Sequence, residues 1–190
     1  TKSLRKFYDD DIYFIVDGKD ESLINQIHKY NGKVIKTSIN KKEIQFKRYK
    51  IYLQFLKREK YNNILLCDCR DIYFQKNPFE YNYYSSINFF LEDFLIKDCP
   101  HNSNWLVKTY GNNGFNKIAN KTILCSGTVL GKSKKIEEYL KLMADTISKN
   151  KYKKKLKYFL TFRPDPEGRG CDQAHANYLV HNNLLNDFKV

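Results

Sequence analysis

Two aspartates, Asp68 and Asp71, stand between two apolar runs in the stretch Ile64-Leu65-Leu66-Cys67-Asp68-Cys69-Arg70-Asp71-Ile72-Tyr73-Phe74. The first run, Ile64 to Cys67, reads as a strand buried on both faces, as in a parallel sheet. A second β-rich run, Ile72 to Phe74, starts at once, with no Gly or Pro to turn the chain away. Carboxylates at such a strand end are costly to leave unpaired, so something cationic should meet them. The carboxyl edge of an open α/β sheet is where ligands of such folds bind. Two hard oxygen donors there suit Mn2+ or Mg2+, which take one or two carboxylates and complete their shell with phosphate oxygens. The structural alternative is an ion pair of Asp68 and Asp71 with Arg70 or a nearby lysine.

Other residues capable of chemistry lie in separate segments. Glu92-Asp93 interrupts an apolar pattern, and suits either the acceptor side of a site, where Glu92 would supply a base, or a strand-end salt bridge. Ser126-Gly127 opens the strand Lys121 to Gly131 in its middle, where a glycine weakens pairing unless a ligand or another backbone must come close. Asp172 and Gln173 open a helical pattern after the Pro- and Gly-rich connection Arg163 to Gly170; Asp172 is equally well placed as an N-cap. Arg48 lies near the start of an amphipathic helix, where it escapes the buried stripe or is a solvated charge among lysines.

At Asp68-Cys69-Arg70-Asp71, followed by Phe74-Gln75-Lys76-Asn77-Pro78-Phe79, the sequence resembles the acidic signature of GT-A fold, nucleotide-sugar-dependent glycosyltransferases. The branch resembled writes it Asp-x-Arg-Asp ahead of Phe-Gln-x-x-Pro-Phe. The usual Asp-x-Asp of the DXD motif stands here as Asp-x-x-Asp, leaving open which aspartate touches the metal. The resemblance continues in the small-residue step at Ser126-Gly127, which lets the donor sugar approach the main chain. It continues again in Gly170-Cys171-Asp172-Gln173 with Asn177, which looks like the segment opening the helix beneath the reacting sugar.

The resemblance implies a hexosyl or deoxyhexosyl transferase of glycan biosynthesis, using a UDP- or GDP-sugar donor, a glycan or other hydroxyl acceptor, and manganese or magnesium. It gives Asp68 and Asp71 to the metal, with a late histidine, His175 or His181, as third ligand. Arg48, Arg70, Ser126 and Gly127 fall to the donor, and Asp172, Gln173 and Glu92 to catalysis. Inversion and retention are not separated. The implied fold is α/β, a single GT-A-like (Rossmann-like) domain over residues 1–190 with a mostly parallel central sheet flanked by helices.

The pattern along the chain agrees with alternating strands and helices. Ile12 to Val16 is a strand; Ser22 to Tyr30 a helix with Leu23, Ile24 and Ile27 inward and Ser22 as cap; Lys33 to Thr37 a strand. This succession implies a parallel, right-handed unit. Lys42 to Lys60 is a helix burying Phe46, Tyr49, Leu53 and Leu56, and Ile87 to Leu91 a strand ending at Glu92-Asp93. Asp98 to Asn120, rich in Asn and Gly, reads as a long loop with a short helix inside it. Trp105 there is a sugar-stacking platform or a core anchor. Ser133 to about Lys149 is a helix with Ile136, Leu140, Met143 and Ile147 inward, and Lys149 to Lys157 a basic helix end and loop.

With 190 residues, 42% hydrophobic and 15% aromatic, the chain fills one core. No apolar run approaches the about 18 to 20 residues of a membrane span, and five cysteines with no Cys-x-x-Cys pair point to free thiols in a reducing compartment, hence the cytoplasm. The net charge of +13 attracts polyanions, phosphorylated substrates or an anionic membrane surface, although lysine scattered among Asn, Ile and Tyr also fits an AT-rich genome. Thr1 and Val190 read as the ends of an excerpt from a longer chain with other domains. The competing classes are a metal-dependent nucleotidyl or phosphoryl transferase, lacking the Gly-rich phosphate loop of one large branch, and a basic nucleic-acid-binding module, lacking a recognisable motif.

Overall fold

The computed structural model describes residues 2–38, 44–69, 72–80, 85–161 and 170–185, and of 151–161 the backbone alone. The chain divides into two compact units, Thr1–Ile44 with Cys67–Asn82, and Gln45–Leu66 with Tyr83–Val190.

The first unit holds the strand, helix, strand succession: β1 (Tyr13–Val16), α1 (Glu21–Lys29) and β2 (Lys33–Lys36). β1 and β2 pair in parallel, Tyr13 opposite Lys33 and Val16 opposite Lys36. The helix starts one turn position earlier than expected because Asp20, extended in backbone, accepts from the Leu23 amide at 3.0 Å; the cap is Asp20, not Ser22. Ile24 and Ile27 are buried while Leu23 stays 45% exposed, since two strands cover only a narrow stripe of the helix. Asn31 ends the helix in the left-handed region, and Gly32 follows where an added Cβ would lie 2.6 Å from Ile27 Cγ2. Arg5 closes the unit, its guanidinium donating to the carbonyls of Tyr8, Asp10, Tyr30 and Asn31. The expected β-rich run at Ile72 to Phe74 is not a strand. The Phe74 amide goes instead to the Ser3 hydroxyl at 3.2 Å, and so is spent on a side chain.

The second unit contains α2 (Ile44–Leu56), β3 (Asn63–Cys67), β4 (Ile87–Leu95), α3 (Pro100–Ile118), β5 (Thr122–Lys132), α4 (Ser133–Thr161) and α5 (Cys171–His181). Its sheet runs in the order β3-β5-β4, and β4 and β5 are antiparallel. The protein is thus mixed α/β, but the mostly parallel central sheet is not what the described strands form: β1 and β2 are the parallel pair, and the larger sheet is built on an antiparallel one.

The connection explains why. After β4 the chain leaves through α3 and returns beside its own starting point: the Ile96 amide donates to Lys121 O at 2.9 Å and the Lys97 amide to Ala119 O at 3.0 Å. A helix whose ends meet closes a hairpin; it does not cross the sheet. α3 can do this because it breaks at Gly111, with φ 71° and ψ 179°. The segment expected as a loop is therefore helical on both sides of that break. Its Asn and Gly content argues against a helix, but Asn102, Leu106, Thr109, Gly114 and Ile118 are buried along one face, and tertiary packing overrides the weak propensity.

The core lies between this sheet and the helices. Phe46, Tyr49 and Leu56 of α2, Ile136, Leu140, Met143 and Ile147 of α4, and Leu179 and Val180 of α5 pack with Ile87, Phe89, Leu124 and Val129. The inward sets expected for α2 and α4 are those observed, with Leu53 half-buried. α4 continues to Thr161, so the backbone of the basic run is helical, not a loop. Among the described residues, no helix is long and apolar enough to cross a membrane.

Candidate active site

The pairing of β4 with β5 fails twice in quick succession. Between the pairs Phe89 with Val129 and Leu91 with Leu124, the single residue Phe90 faces the four residues Cys125 to Thr128. Between Leu91 with Leu124 and Leu95 with Thr122, the three residues Glu92 to Phe94 face Ile123 alone. Bulges of this kind release backbone from the ladder and re-aim side chains, often beside a functional site. Ser126-Gly127 and Glu92, picked from sequence as candidates, sit in the two bulges.

Helix α5 brings Gln173 to both. Its Nε2 donates to Glu92 Oε1 and to Asn102 Oδ1, each at 3.1 Å, and its Oε1 accepts from the Ser126 hydroxyl at 3.3 Å. One turn further on, Asn177 fastens α5 to β5: its Nδ2 donates to Leu124 O at 2.9 Å and its Oδ1 accepts from the Leu124 amide at 2.8 Å. The side-chain amide thus satisfies both backbone groups of Leu124, and the 1% exposure of Asn177 fits that full satisfaction. The start of α5 is shaped by Gly170, whose φ of 90° and whose closeness to the Trp105 indole, 2.2 Å from an added Cβ, both require glycine. Trp105 is accordingly an anchor packed under the helix start, and touches both apolar clusters of the unit.

Asp172, in the first turn of α5, does not cap it; Gly170 holds the N-cap position. The Asp172 carboxylate accepts from Arg48 Nη2 at 2.7 Å, with side-chain exposures of 8% and 16%. Two residues expected to act separately, Asp172 in catalysis and Arg48 on the donor, are therefore ion-paired. Arg48 also donates to the Tyr49 hydroxyl at 3.3 Å. Desolvation pushes the fully buried phenols of Tyr49 and Tyr139 well above the usual tyrosine range, opposed in part by the Arg48 charge.

The remaining candidates lie elsewhere. Asp68 follows β3 directly and is exposed; Arg70 and Asp71 lie outside the described residues. Beside it, burial pushes the Cys67 thiol up to about 11, with the charges of Asp68 and Cys69 adding to the effect. His175 is fully buried in α5, its Nδ1 2.7 Å from the Tyr110 hydroxyl, in a packed group with Tyr178, which stacks on Tyr110 at 3.7 Å. This is the environment of a core histidine. His181 Nε2 lies 2.8 Å from Thr122 O, and burial lowers its pKa. Among the described residues no three His, Cys, Asp or Glu side chains gather as a metal group.

Asn102 and Tyr110 are hard to find from sequence because both lie in a segment whose Asn and Gly content reads as a loop. The only signal was the helical spacing of Asn102, Leu106, Thr109 and Tyr110, diluted by the surrounding Asn and Gly. No family model matches the chain, and no curated protein matches it.

Proposed function

We propose that the chain is a metal-assisted glycosyltransferase that moves a hexosyl or deoxyhexosyl unit from a nucleotide-diphosphate sugar to an acceptor hydroxyl, on a GT-A-like domain. The observation that carries this reading is the meeting of Glu92, Ser126 and Gln173. These residues come from three distant segments, each singled out for sugar chemistry, and hydrogen bonds join them at a doubly bulged strand pair. Core packing alone has no need of Glu92, Ser126, Gln173 and Asn102, four half-buried or buried polar side chains, beside two ladder defects in one place.

Each residue has a role in the proposal. Gln173 and the Ser126-Gly127 step face the donor sugar. Arg48, held by Asp172, keeps a guanidinium near the start of α5, where the helix N-terminus also favours anions. Asp68 suits a divalent cation, since an exposed carboxylate at a strand end is a hard oxygen donor and Mg2+ or Mn2+ needs only one or two from the protein. Asp71 would share it. When bound, such a cation supplies charge stabilisation for a departing nucleoside diphosphate. His175, buried against Tyr110, is left to packing.

A screen of UDP- and GDP-sugars with Mn2+, read as release of nucleoside diphosphate, tests the reading. The parent is expected to hydrolyse at least one donor slowly, and Asp71→Ala to lose most of that release. Equal turnover by both would take the carboxylates out of the mechanism.

A further inference from the structure

The direction of every hydrogen bond around Gln173 follows from one carboxylate. A carboxylate without a proton only accepts. Glu92 Oε1 lies 3.1 Å from the Gln173 amide nitrogen, so the NH2 group must face it, and the same NH2 reaches Asn102 Oδ1. Asn102 then shows its carbonyl to Gln173 and turns its own NH2 the other way, where Cys99 Sγ accepts at 3.3 Å. Asn102 is 6% exposed, so a flipped amide would set NH2 against NH2 with no water to relieve it. At the far end the Gln173 carbonyl faces Ser126, and the hydroxyl proton of Ser126 is spent on it. What remains for these two side chains to offer beside the Cys125 to Thr128 bulge is lone pairs, on Ser126 Oγ and on Gln173 Oε1. Both residues are half-buried and open to solvent.

We propose that Glu92 is a positioning residue that acts through Gln173 and sets this network to present acceptors. These two side chains therefore take hydroxyl donors of a sugar ring, and reject the oxygens of a sulfate, a phosphate diester or a carboxylate, which only accept at neutral pH. Asn102 is the second positioning residue, holding the same NH2 from α3. The inference rests on the glycosyltransferase reading and deepens it: Glu92 orients the residue beneath the sugar and is not the base that deprotonates the acceptor.

The test is made on the intact chain labelled with 15N-glutamine. The Gln173 side-chain NH2 pair is identified by its loss in Gln173→Leu. Exchange of that pair with water is expected to be slower by about tenfold or more than that of exposed glutamine amides, by the protection a closed hydrogen bond confers. Glu92→Ala and Asn102→Leu are expected to abolish the protection, and Asn102→Asp, which keeps an acceptor for the NH2, to retain it. A fast-exchanging pair in the parent, or one indifferent to Glu92→Ala in a variant that still melts cooperatively, overturns the proposal.

Ligand class is read from the same resonances. Methyl glucoside is expected to shift the Gln173 pair and sodium sulfate, which has no proton to donate, to leave it; the reverse, or no shift with either, overturns the assignment. For any donor the parent hydrolyses, Glu92→Gln is expected to raise KM about tenfold, the size of one hydrogen bond to a charged group, with the pH profile of kcat unchanged. Loss of the acidic limb of that profile, together with kcat, would make Glu92 the base. If no donor is hydrolysed while the amide pair behaves as expected, the transferase reading fails and the positioning of Gln173 by Glu92 stands.

Discussion

Two ion pairs of nearly equal length show how little a distance says. Arg48 and Asp172 meet at 2.7 Å across 124 residues of chain, with side chains 16% and 8% exposed. Lys33 and Asp11 meet at 2.6 Å, 53% and 36% exposed, beside Tyr13, whose hydroxyl also donates to Asp11. The exposed pair exchanges one set of water contacts for another and gains little. The buried pair has given up most of its water, so removing one charge leaves the other with little solvent to take its partner's place. The first unit can lose its pair; the second is organised around keeping its own.

The largest effect should come from Asp172→Ala. It is expected to cost about 3–5 kcal/mol, read as a fall in the urea midpoint at constant slope. Arg48→Met combined with Asp172→Leu should recover to within about 1 kcal/mol of the parent, because an apolar pair no longer needs solvation, while release of nucleoside diphosphate stays lost. Recovery of both would assign the pair to structure alone.

Burial should be just as visible at a thiol. Burial pushes the Cys67 thiol up to about 11 from an ordinary 9.0, so the folded state holds this proton more tightly than the unfolded one. Its contribution is intact below about pH 9 and is lost as pH rises toward 11, by about 2–3 kcal/mol. The parent should therefore lose more stability between pH 8 and 10.5 than Cys67→Ala does. Parallel curves would refute the shift.

Gly170→Ala sharpens the comparison from the backbone side, since the start of α5 carries Asp172. A methyl group in the left-handed region and against the Trp105 indole is expected to cost about 1–3 kcal/mol, seen as a lower melting temperature. At the small end, Asp11→Asn should leave the urea midpoint unchanged. Hydrogen bonding to Asp11 raises the Lys33 pKa above 10.5, so what the pair adds is present below that pH and fades as pH rises past the raised value. A clear loss at pH 7 would mean the two pairs are alike.

The legible parts of this protein were those governed by periodicity. The apolar stripes of α2 and α4, the strands β1, β3 and β5, and the small-residue step at Ser126-Gly127 all follow from which residues recur at 3.6 or 2. Glu92, Ser126, Gln173 and Asp172 were marked as candidates by type and position. Less legible were the helix across Gly111, the cap at Asp20 rather than Ser22, and the antiparallel pairing of β4 with β5. Each depends on contacts with residues distant in sequence or on a choice between two local hydrogen bonds of similar strength.

Taken alone, then, the amino-acid order determined which residues are able to do polar chemistry and which faces must be buried, because both are properties of side chains and their spacing. Which carboxylate serves which partner was decided only in three dimensions. Asp172 found Arg48 where α5 meets α2, and Glu92 found Gln173 where the bulged strand β4 meets α5, and no local rule encodes a contact that the folded backbone itself creates.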